Sequence, residues 1–440
     1  MERLCVGGGS DRISDLPSNV IVHILACLPL KDAVRTSTLS KKWKEIWHTM
    51  LHIIVDDDHF HGRSLRNLEG IINYILTRHQ GKIEKFSVSV EEVKNCYNMK
   101  SWICRLSEKS IQELSLIIWG GEYNEVPSEL FSCQQLRKLN LRRFEVKLLH
   151  SFKGFHNLIS LQLNKVNIST AIFERLISGC PLLEQLTIKN LSCFDHLHII
   201  VPNLKYFCFD GEFKSLCFNT PLLEVLSIDL YRIDCDFENN QFDLRFQIRG
   251  LPPAIKELYV RCRFQKFLAA GDTFTEVSTS YSHLRTVVIN AFCFDKVDEV
   301  ASLLSLIGGA LNLQMLDIEA NGCNNNNEAV SEPIIQFWEE QNHLPLSLNQ
   351  LQKVTVRSFH GKDFEIRFIQ FVLANAPILK EITVECVKHP DFNQDEVKLL
   401  LVPFCVASTE FHLAGGTCDS CSVHSSDSAY NLNSSFSHFW

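Results

Sequence analysis

The chain predicts an α/β solenoid, a stack of short parallel strands joined by helices and loops, and three observations predict it. A six-residue pattern, apolar-x-x-apolar-x-apolar with Leu, Ile, Val or Phe, recurs twelve times between Ile83 and Val384. Its starts (Ile83, Ile111, Leu136, Leu158, Leu183, Leu204, Leu223, Ile255, Leu284, Leu313, Leu351 and Leu379) stand 19 to 38 residues apart. Most of these intervals lie in or near the roughly 20–29-residue period of leucine-rich repeats. Several also carry a helix signature that ends in a stop just before the next strand, as in STAIFERLISGCPLL.

The N-terminal elements come first. In LPSNVIVHILACLPLKD (16–32) two Leu-Pro pairs bracket one apolar segment. Pro17 suits the first turn of a helix, where its missing N–H costs nothing. Val20, Ile21, Ile24, Leu25 and Leu28 follow at helical spacing, and Pro29 ends the segment. Asp32 is placed to cap a second helix carrying Ala33, Val34 and Leu39, and Ser40 to cap a third that holds Trp43 and Trp47. About 40 residues in three short helices do not bury two Trp and this many aliphatics unaided, so an obligate partner is expected.

In the repeats, the last two apolar positions of each motif are two apart and share one face of a strand. No unit buries that face alone; stacked neighbours close a continuous core. Helices are expected after a cap at Ser169 or Thr170, ending at Gly179 and Pro181. Two more are expected after Asp298, ending at Gly308-Gly309, and after Asp363, with Asn375 in a left-handed turn before Pro377. FDLRFQIRG (242–250) alternates like an extra strand, and NGCNNNNEA (321–329) reads as a polar loop.

Composition narrows the function classes. At 45% hydrophobic and 21% charged, the chain is close to the globular average. A formal net charge of -8 argues against a broad electrostatic footprint for nucleic acid or an anionic membrane. MERLCVGGGSDR has no apolar signal region, and no window reaches the ~18 apolar residues of a membrane span. Seventeen scattered cysteines then read as reduced, buried small hydrophobes. A soluble protein of the cytoplasm, the nucleus or both is expected.

No motif requires a metal or cofactor. Asp56-Asp57-Asp58-His59-x-His61 has metal-ligating residue types but stands where a polar loop follows a strand. Cys418-x-x-Cys421 with His424 is half a zinc spacing in a Ser-rich tail. His196 and His198 lie in an apolar run, and Gly7-Gly8-Gly9 lacks the context of a phosphate loop. No catalytic set assembles without arbitrary choices, so no enzymatic activity of its own is expected.

The strings DRISDLPSNV (11–20), HILACLPLK (23–31) and AVRTSTLSKKWKEIW (33–47) resemble the F-box of plant-type F-box/FBD/LRR-repeat proteins. LHIIVDDDHF resembles the segment those proteins place next. LQKVTVRSFHGKDFEIRFIQFVLANAPILKEITVEC (351–386) is similar to their FBD segment. The departures are Ser18-Asn19, where an acidic residue is common, and the irregular repeat spacing. The resemblance implies a small three-helix F-box followed by an irregular leucine-rich-repeat solenoid, strands on its concave face and helices and loops on its convex face. The implied order is F-box at 10–50, a linker leading into the repeats at 51–80, repeats at 81–345, FBD at 346–412 and a tail at 413–440.

The resemblance also implies a non-catalytic substrate-recognition subunit of a Skp-cullin-F-box (SCF) ubiquitin ligase. The F-box docks on a Skp-type adaptor, and through it on a cullin and a RING subunit, while the LRR/FBD region holds the protein to be ubiquitinated. Carried onto this chain, Leu16, Pro17, Ile21, Ile24, Leu28, Pro29, Val34, Leu39 and Trp43 form or support the adaptor interface. The alternative is a scaffold or receptor that binds the adaptor or other proteins without directing degradation. Strand positions alternating with the apolar ones face the target. Lys138, Asn140, Arg142, Gln162, Lys189, Tyr206, Asp229, Tyr259, Arg261, Asp317 and Glu319 are the expected readers, bases early and acids late along the array.

Overall fold

The computed structural model describes residues 13, 15–28, 30–56, 65–91, 99–149, 151–229, 247–249, 252–261, 281–321, 332–341, 348–387, 394–405 and 409–415. They form two compact units, Met1–His283 and Leu284–Trp440.

The first unit begins with the helical module. Pro17 (φ -59°, ψ 145°) is the N-cap of α1 (Ser18–Cys27). α2 (Leu30–Arg35) continues through a 3-10 turn (Thr36–Thr38) toward α3 (Lys41–Trp47). Ser40 caps α3 as its position predicts, its hydroxyl accepting the Trp43 backbone N–H at 3.4 Å. Asp32 does not cap α2. It lies within the helix's first turn and pairs with Arg35 at 3.2 Å, and Leu39 lies beyond the helix in the following turn.

The strands then follow. β1 (His52–Asp56), α4 (Leu65–Arg78), β2 (Lys85–Val90), α5 (Met99–Glu108) and β3 (Glu113–Ile118) lead to the short β4 (Asn124–Glu125). β5 (Lys138–Arg142), β6 (Phe144–Glu145), β7 (Ser160–Asn164) and α6 (Thr170–Ser178) come next. The unit ends with β8 (Gln185–Ile200), β9 (Tyr206–Asn219), β10 (Val225–Asp229), β11 (Gln247–Arg249) and β12 (Glu257–Arg261). The ladder order is β1-β2-β3-β5-β7-β8-β9-β10-β12, parallel at every step. Its register aligns the motifs: Phe86, Leu114, Leu139, Leu161, Leu186, Phe207, Leu226 and Leu258 are successive partners.

The second unit alternates strand and helix. Its elements are β13 (Thr286–Phe292), α7 (Val297–Gly309), β14 (Met315–Ala320), α8 (Glu332–Gln341) and β15 (Lys353–Phe359), then α9 (Asp363–Asn375), β16 (Glu381–Cys386), α10 (Gln394–Leu401) and β17 (Glu410–Gly415). The five strands pair in parallel in chain order. Each unit is an α/β leucine-rich-repeat stack.

All three apolar positions of all twelve motifs are buried, so the pattern is the core. A further unit precedes them: Met50, Ile53 and Val55 have the same spacing and are buried in and before β1. It escapes the sequence pattern because Met holds the first position. Thus 51–80 carries a strand and a helix of the stack, beyond a linker.

The helix caps of the second unit also differ from expectation. α7 starts after Lys296 without a side-chain cap, and α9 after Lys362. Asp298 and Asp363 lie inside the first turns. The buried Glu365 does the capping of α9, its carboxylate accepting the N–H groups of His360 and Lys362, both at 3.0 Å. Asn375 ends α9 without a left-handed turn, and its side-chain amide donates to Phe371 O at 2.8 Å. β8 and β9 depart from strand–helix alternation altogether. After an irregularity at Asn190 they continue side by side to Ile200 and Asn219, and β11 extends that layer beside Ser215–Cys217. The extra strand expected in FDLRFQIRG is β11; residues 242–246 and 250, and 322–329 of the polar loop, lie outside the described residues.

Ser169 caps α6 by accepting the Ile172 N–H at 3.4 Å. Gly179 follows that helix with a φ of -79°, so its lack of a side chain serves close approach and no left-handed turn. A Cβ there would stand 2.7 Å from Gly154 Cα, and one on Gly154 (φ +117°) would stand 1.8 Å from Gly179 O. Backbone meets backbone, and neither partner can yield cheaply. Gly154→Ala should therefore destabilise the first unit by about 3 kcal/mol or more, and Gly179→Ala by less, as read from urea-unfolding midpoints.

Candidate protein-interaction surfaces

The helical module separates its apolar residues into two sets. Ile21, Leu25, Ala33 and Trp43 are its interior, at 2% exposure or less. Leu16, Ile24 and Leu28 are half-buried, and Pro17, Val20, Leu39 and Ile13 are exposed, Leu39 at 49%. The Trp43 indole N–H donates to Ile13 O at 3.1 Å, and the Lys42 ammonium donates to Leu16 O. These two bonds strap residues 13–17 across α3. Of the residues expected to meet an adaptor, Ile21 and Trp43 are thus buried in the module and Pro17 and Leu39 are on its surface. Pro29 and the Val34 side chain lie outside the described residues. Ile13 and Val20 belong to the exposed set; Val20 lies on the helical stripe, but neither is among the residues expected at the interface.

The module is braced to the first repeat. The Gln80 N–H donates to His48 O at 2.7 Å and the Glu84 N–H to Leu51 O at 2.8 Å. His79 is buried, with Nε2 2.7 Å from Met50 O. A carbonyl only accepts, so Nε2 carries the hydrogen. Burial, reinforced by Lys109, lowers the His79 pKa and keeps the ring neutral.

On the strand face of the first unit, register gathers the outward residues into three rows. The first runs Lys85, Glu113, Lys138, Ser160, Gln185, Tyr206, Val225, Glu257. Glu113 pairs with Lys85 at 3.5 Å and with Lys138 at 3.4 Å. The middle row holds Asn140, Gln162, Thr187 and Tyr259; the Tyr259 hydroxyl donates to Glu257 at 2.8 Å. The third runs Arg142, Asn164, Lys189, Asp210 and Asp229, with Arg261 paired to Asp229 at 2.9 Å. Asp317 and Glu319 lie on β14 of the second unit, where Arg357 pairs with Asp317 at 3.0 Å and Lys353 with Glu381 at 2.9 Å. Many charges of this face therefore engage a neighbouring strand. Glu113 was missed as a partner because the pairing appears only once motifs are aligned position by position.

Several groups on the face are shifted by burial. It drives the Tyr206 hydroxyl far above its usual pKa. Burial raises Asp317, opposed by Arg357. Cys133 is pushed up to about 12, and Cys180 and Cys386 to about 11, all by burial, which makes these thiols inert fillers of the core. Among the described residues no three His, Cys, Asp or Glu cluster as a metal site. His198 instead pairs with Glu174 at 2.9 Å and His196 with Ser215 at 2.7 Å. Asp57–His61, Cys418, Cys421 and His424 lie outside the described residues. Among the described residues no helix is long and apolar enough to cross a membrane.

Asp210 is raised from 3.8 to about 7, by burial first and by Asp229 second, against Lys189 and Arg261. Because its folded value lies above its unfolded one, the folded chain keeps a proton that the unfolded chain releases. Its contribution to stability falls as pH rises from about 4 to about 7 and levels off above. Asp210→Asn should flatten that slope and add about 1–2 kcal/mol at pH 8, measured by denaturant titration at pH 5 and pH 8.

Comparison with known proteins places these surfaces. Residues 13–53 match the F-box domain family, and 99–289 match the LRR repeats of FBD-associated F-box protein At5g56370. Residues 344–384 match the FBD family. F-box/FBD/LRR-repeat protein At1g13570 of Arabidopsis thaliana is 35% identical over 408 residues, covering 90% of this chain and 96% of that protein. Putative F-box/FBD/LRR-repeat protein At5g44950 of the same plant is 25% identical over 434 residues, covering 88% and 95%. A protein-interaction adaptor built from F-box and repeat modules is what these matches and the two surfaces describe. The chain belongs to the plant F-box/FBD/LRR-repeat protein family.

Proposed function

We propose that the chain is the substrate-recognition subunit of an SCF ubiquitin ligase. The observation that carries this reading is the helical module, closed around Ile21, Leu25 and Trp43 yet exposing Ile13, Pro17, Val20 and Leu39. Exposed apolar groups beside a satisfied core suit a permanent partner, here a Skp-type adaptor. Through the adaptor the chain meets cullin and RING subunits, and its strand face holds the target. The chain itself performs no bond chemistry. Its effect is to keep a target lysine near the ubiquitin-charged enzyme, a gain in effective concentration. Cytoplasm, nucleus or both fit that role.

A scaffold that binds the adaptor without directing degradation is the competing reading, and ubiquitin transfer to a captured protein decides between them. Pro17→Ala with Leu39→Asp should cut adaptor retention at least thirtyfold, about 2 kcal/mol, with an unchanged melting temperature. Ile21→Ala should lose retention and also about 2–4 kcal/mol of stability. Co-purification with the adaptor, alongside thermal melts, checks both; full retention by the double variant refutes the assignment.

A further inference from the structure

At the rim near the C-terminal ends of the first unit's motif strands, exposed aromatic rings stand beside arginines. Trp119, after β3, and Tyr123, before β4, are 51% and 53% exposed. Each ring has an arginine on it. The Arg142 guanidinium carbon is 3.9 Å from the Trp119 ring centre, and that of Arg143 is 5.9 Å from the Tyr123 ring centre. The Trp119 indole N–H donates to Ser89 Oγ at 3.1 Å. Arg143 donates from Nε to Gly121 O at 2.6 Å and from Nη1 to Trp119 O at 3.3 Å, and its Nη2 makes no hydrogen bond among the described residues. Planar cations held in this way lose little entropy when they bind an anion.

Backbone strain marks the same rim. Arg143 (φ 67°) directly follows β5 and Lys165 (φ 48°) directly follows β7, the position that Asn190 (φ 53°) takes within β8. Left-handed backbone favours Gly and Asn; a long cation there is uncommon. The Arg143 N–H donates to Asn164 O at 2.9 Å and the Lys165 N–H to Lys189 O at 2.8 Å, which locks the three strand ends together. Across Arg142-Arg143, Asn164-Lys165 and Lys189-Asn190 there are cations and no carboxylate. Acids begin with Asp210 on one side and Glu122 on the other. In a chain of net charge -8, that is a local reversal of sign.

We infer that this rim docks an extended Asp/Glu-rich segment of a protein, its carboxylates on Arg142, Arg143, Lys165 and Lys189 and its apolar part against Trp119 and Tyr123. The inference rests on the reading of the strand face as the target-holding surface and names the chemistry of what is held. Two strand spacings span about 10 Å, which three or four extended residues cover. The left-handed residue itself serves packing, since the residue after it turns into the core; what is particular to this rim is that two such residues on successive strands are cations beside exposed aromatic rings. Aromatic and arginine anchors are what such an interface needs at its centre.

The test uses the full chain and a fluorescent peptide of about 12 residues, with four central Asp/Glu and one Phe, followed by anisotropy. Controls are the peptide with Gln and Asn at the acidic positions and a single-stranded DNA of equal charge. The acidic peptide should bind and weaken about tenfold between about 50 and 300 mM salt. Trp119→Ala should weaken it about tenfold, and Lys189→Gln and Lys165→Asn at least threefold each. Lys165→Asn should keep or raise the melting temperature, since Asn tolerates the left-handed backbone, so its loss of binding cannot be misfolding. No binding, equal binding of the neutral peptide, indifference to these variants, or tighter binding of the DNA each overturns the inference. Adaptor retention measured in the same samples separates it from the wider reading. Retained adaptor with peptide indifference sinks only the rim, and lost adaptor with intact peptide binding sinks only the ligase assignment.

Discussion

Everything in this molecule depends on one constraint, the parallel register that seats each motif on the preceding one without a shift. A backbone N–H just before each strand donates to the preceding repeat: Gln112 to Glu84 O at 3.0 Å, Arg137 to Gln112 O at 2.7 Å, Ile159 to Arg137 O at 2.8 Å, Glu184 to Ile159 O at 2.9 Å. The second unit repeats the device with Gln352 to Gln314 O and Lys380 to Gln352 O, both 2.9 Å. Side-chain period is two, so a slip of one residue would turn every buried Leu outward. Burying one such side chain contributes about 1.5–3 kcal/mol, and three per motif make any slip prohibitive. Unequal intervals are then harmless, because the loops and helices absorb the extra length and the strands do not.

The same register builds the surface. Residues at equal positions of successive motifs become neighbours one strand apart, which is why Lys85, Glu113 and Lys138 alternate in sign along one row. Exposed pairs of this kind contribute little to stability, about 0–1 kcal/mol each. At the ends of β5 and β7 and at the irregularity within β8, the left-handed residue inserted after each outward position lets the next one, Phe144, Val166 or Leu191, turn into the core. Ala291 and Ser358 do this for Phe292 and Phe359 in the second unit. A packing requirement thus puts a protruding residue on every one of these strands, and in the first unit two of them are cations.

What the sequence revealed followed from how local the physics is. The motif pattern located the apolar strand positions of twelve repeats, and Ser40 and Ser169 were recognisable as caps because capping is decided within four residues. Glu365 was not, since its partners depend on how the chain enters α9 from His360. The long β8 and β9 were also hidden. Leu197 and Ile199 alternate with His196 and His198 in a strand pattern, but Phe194 and Phe213 find each other only through the pairing of two distant segments. On the docking module the helical spacing identified one apolar stripe. It could not separate Ile21 from Val20, because which of them is buried depends on how α1 packs against α3.

That module bears on the proposed role, in which the chain holds a target for another protein's chemistry. Target capture helps a tethered enzyme only if the tether is stiff; a loose joint would return most of the entropy that binding removed. The joint between the helices and the repeats is short and fully bonded. His48 and Met50 offer carbonyls to Gln80 and His79, and Leu51 accepts from the residue that begins the next register step, Glu84. β1 then enters the ladder directly at His52. The strand that follows the helical module is the first strand of the stack, so on the proposed reading whatever α1 and α3 bind and whatever the face of β5 to β8 holds are fixed to one continuous sheet.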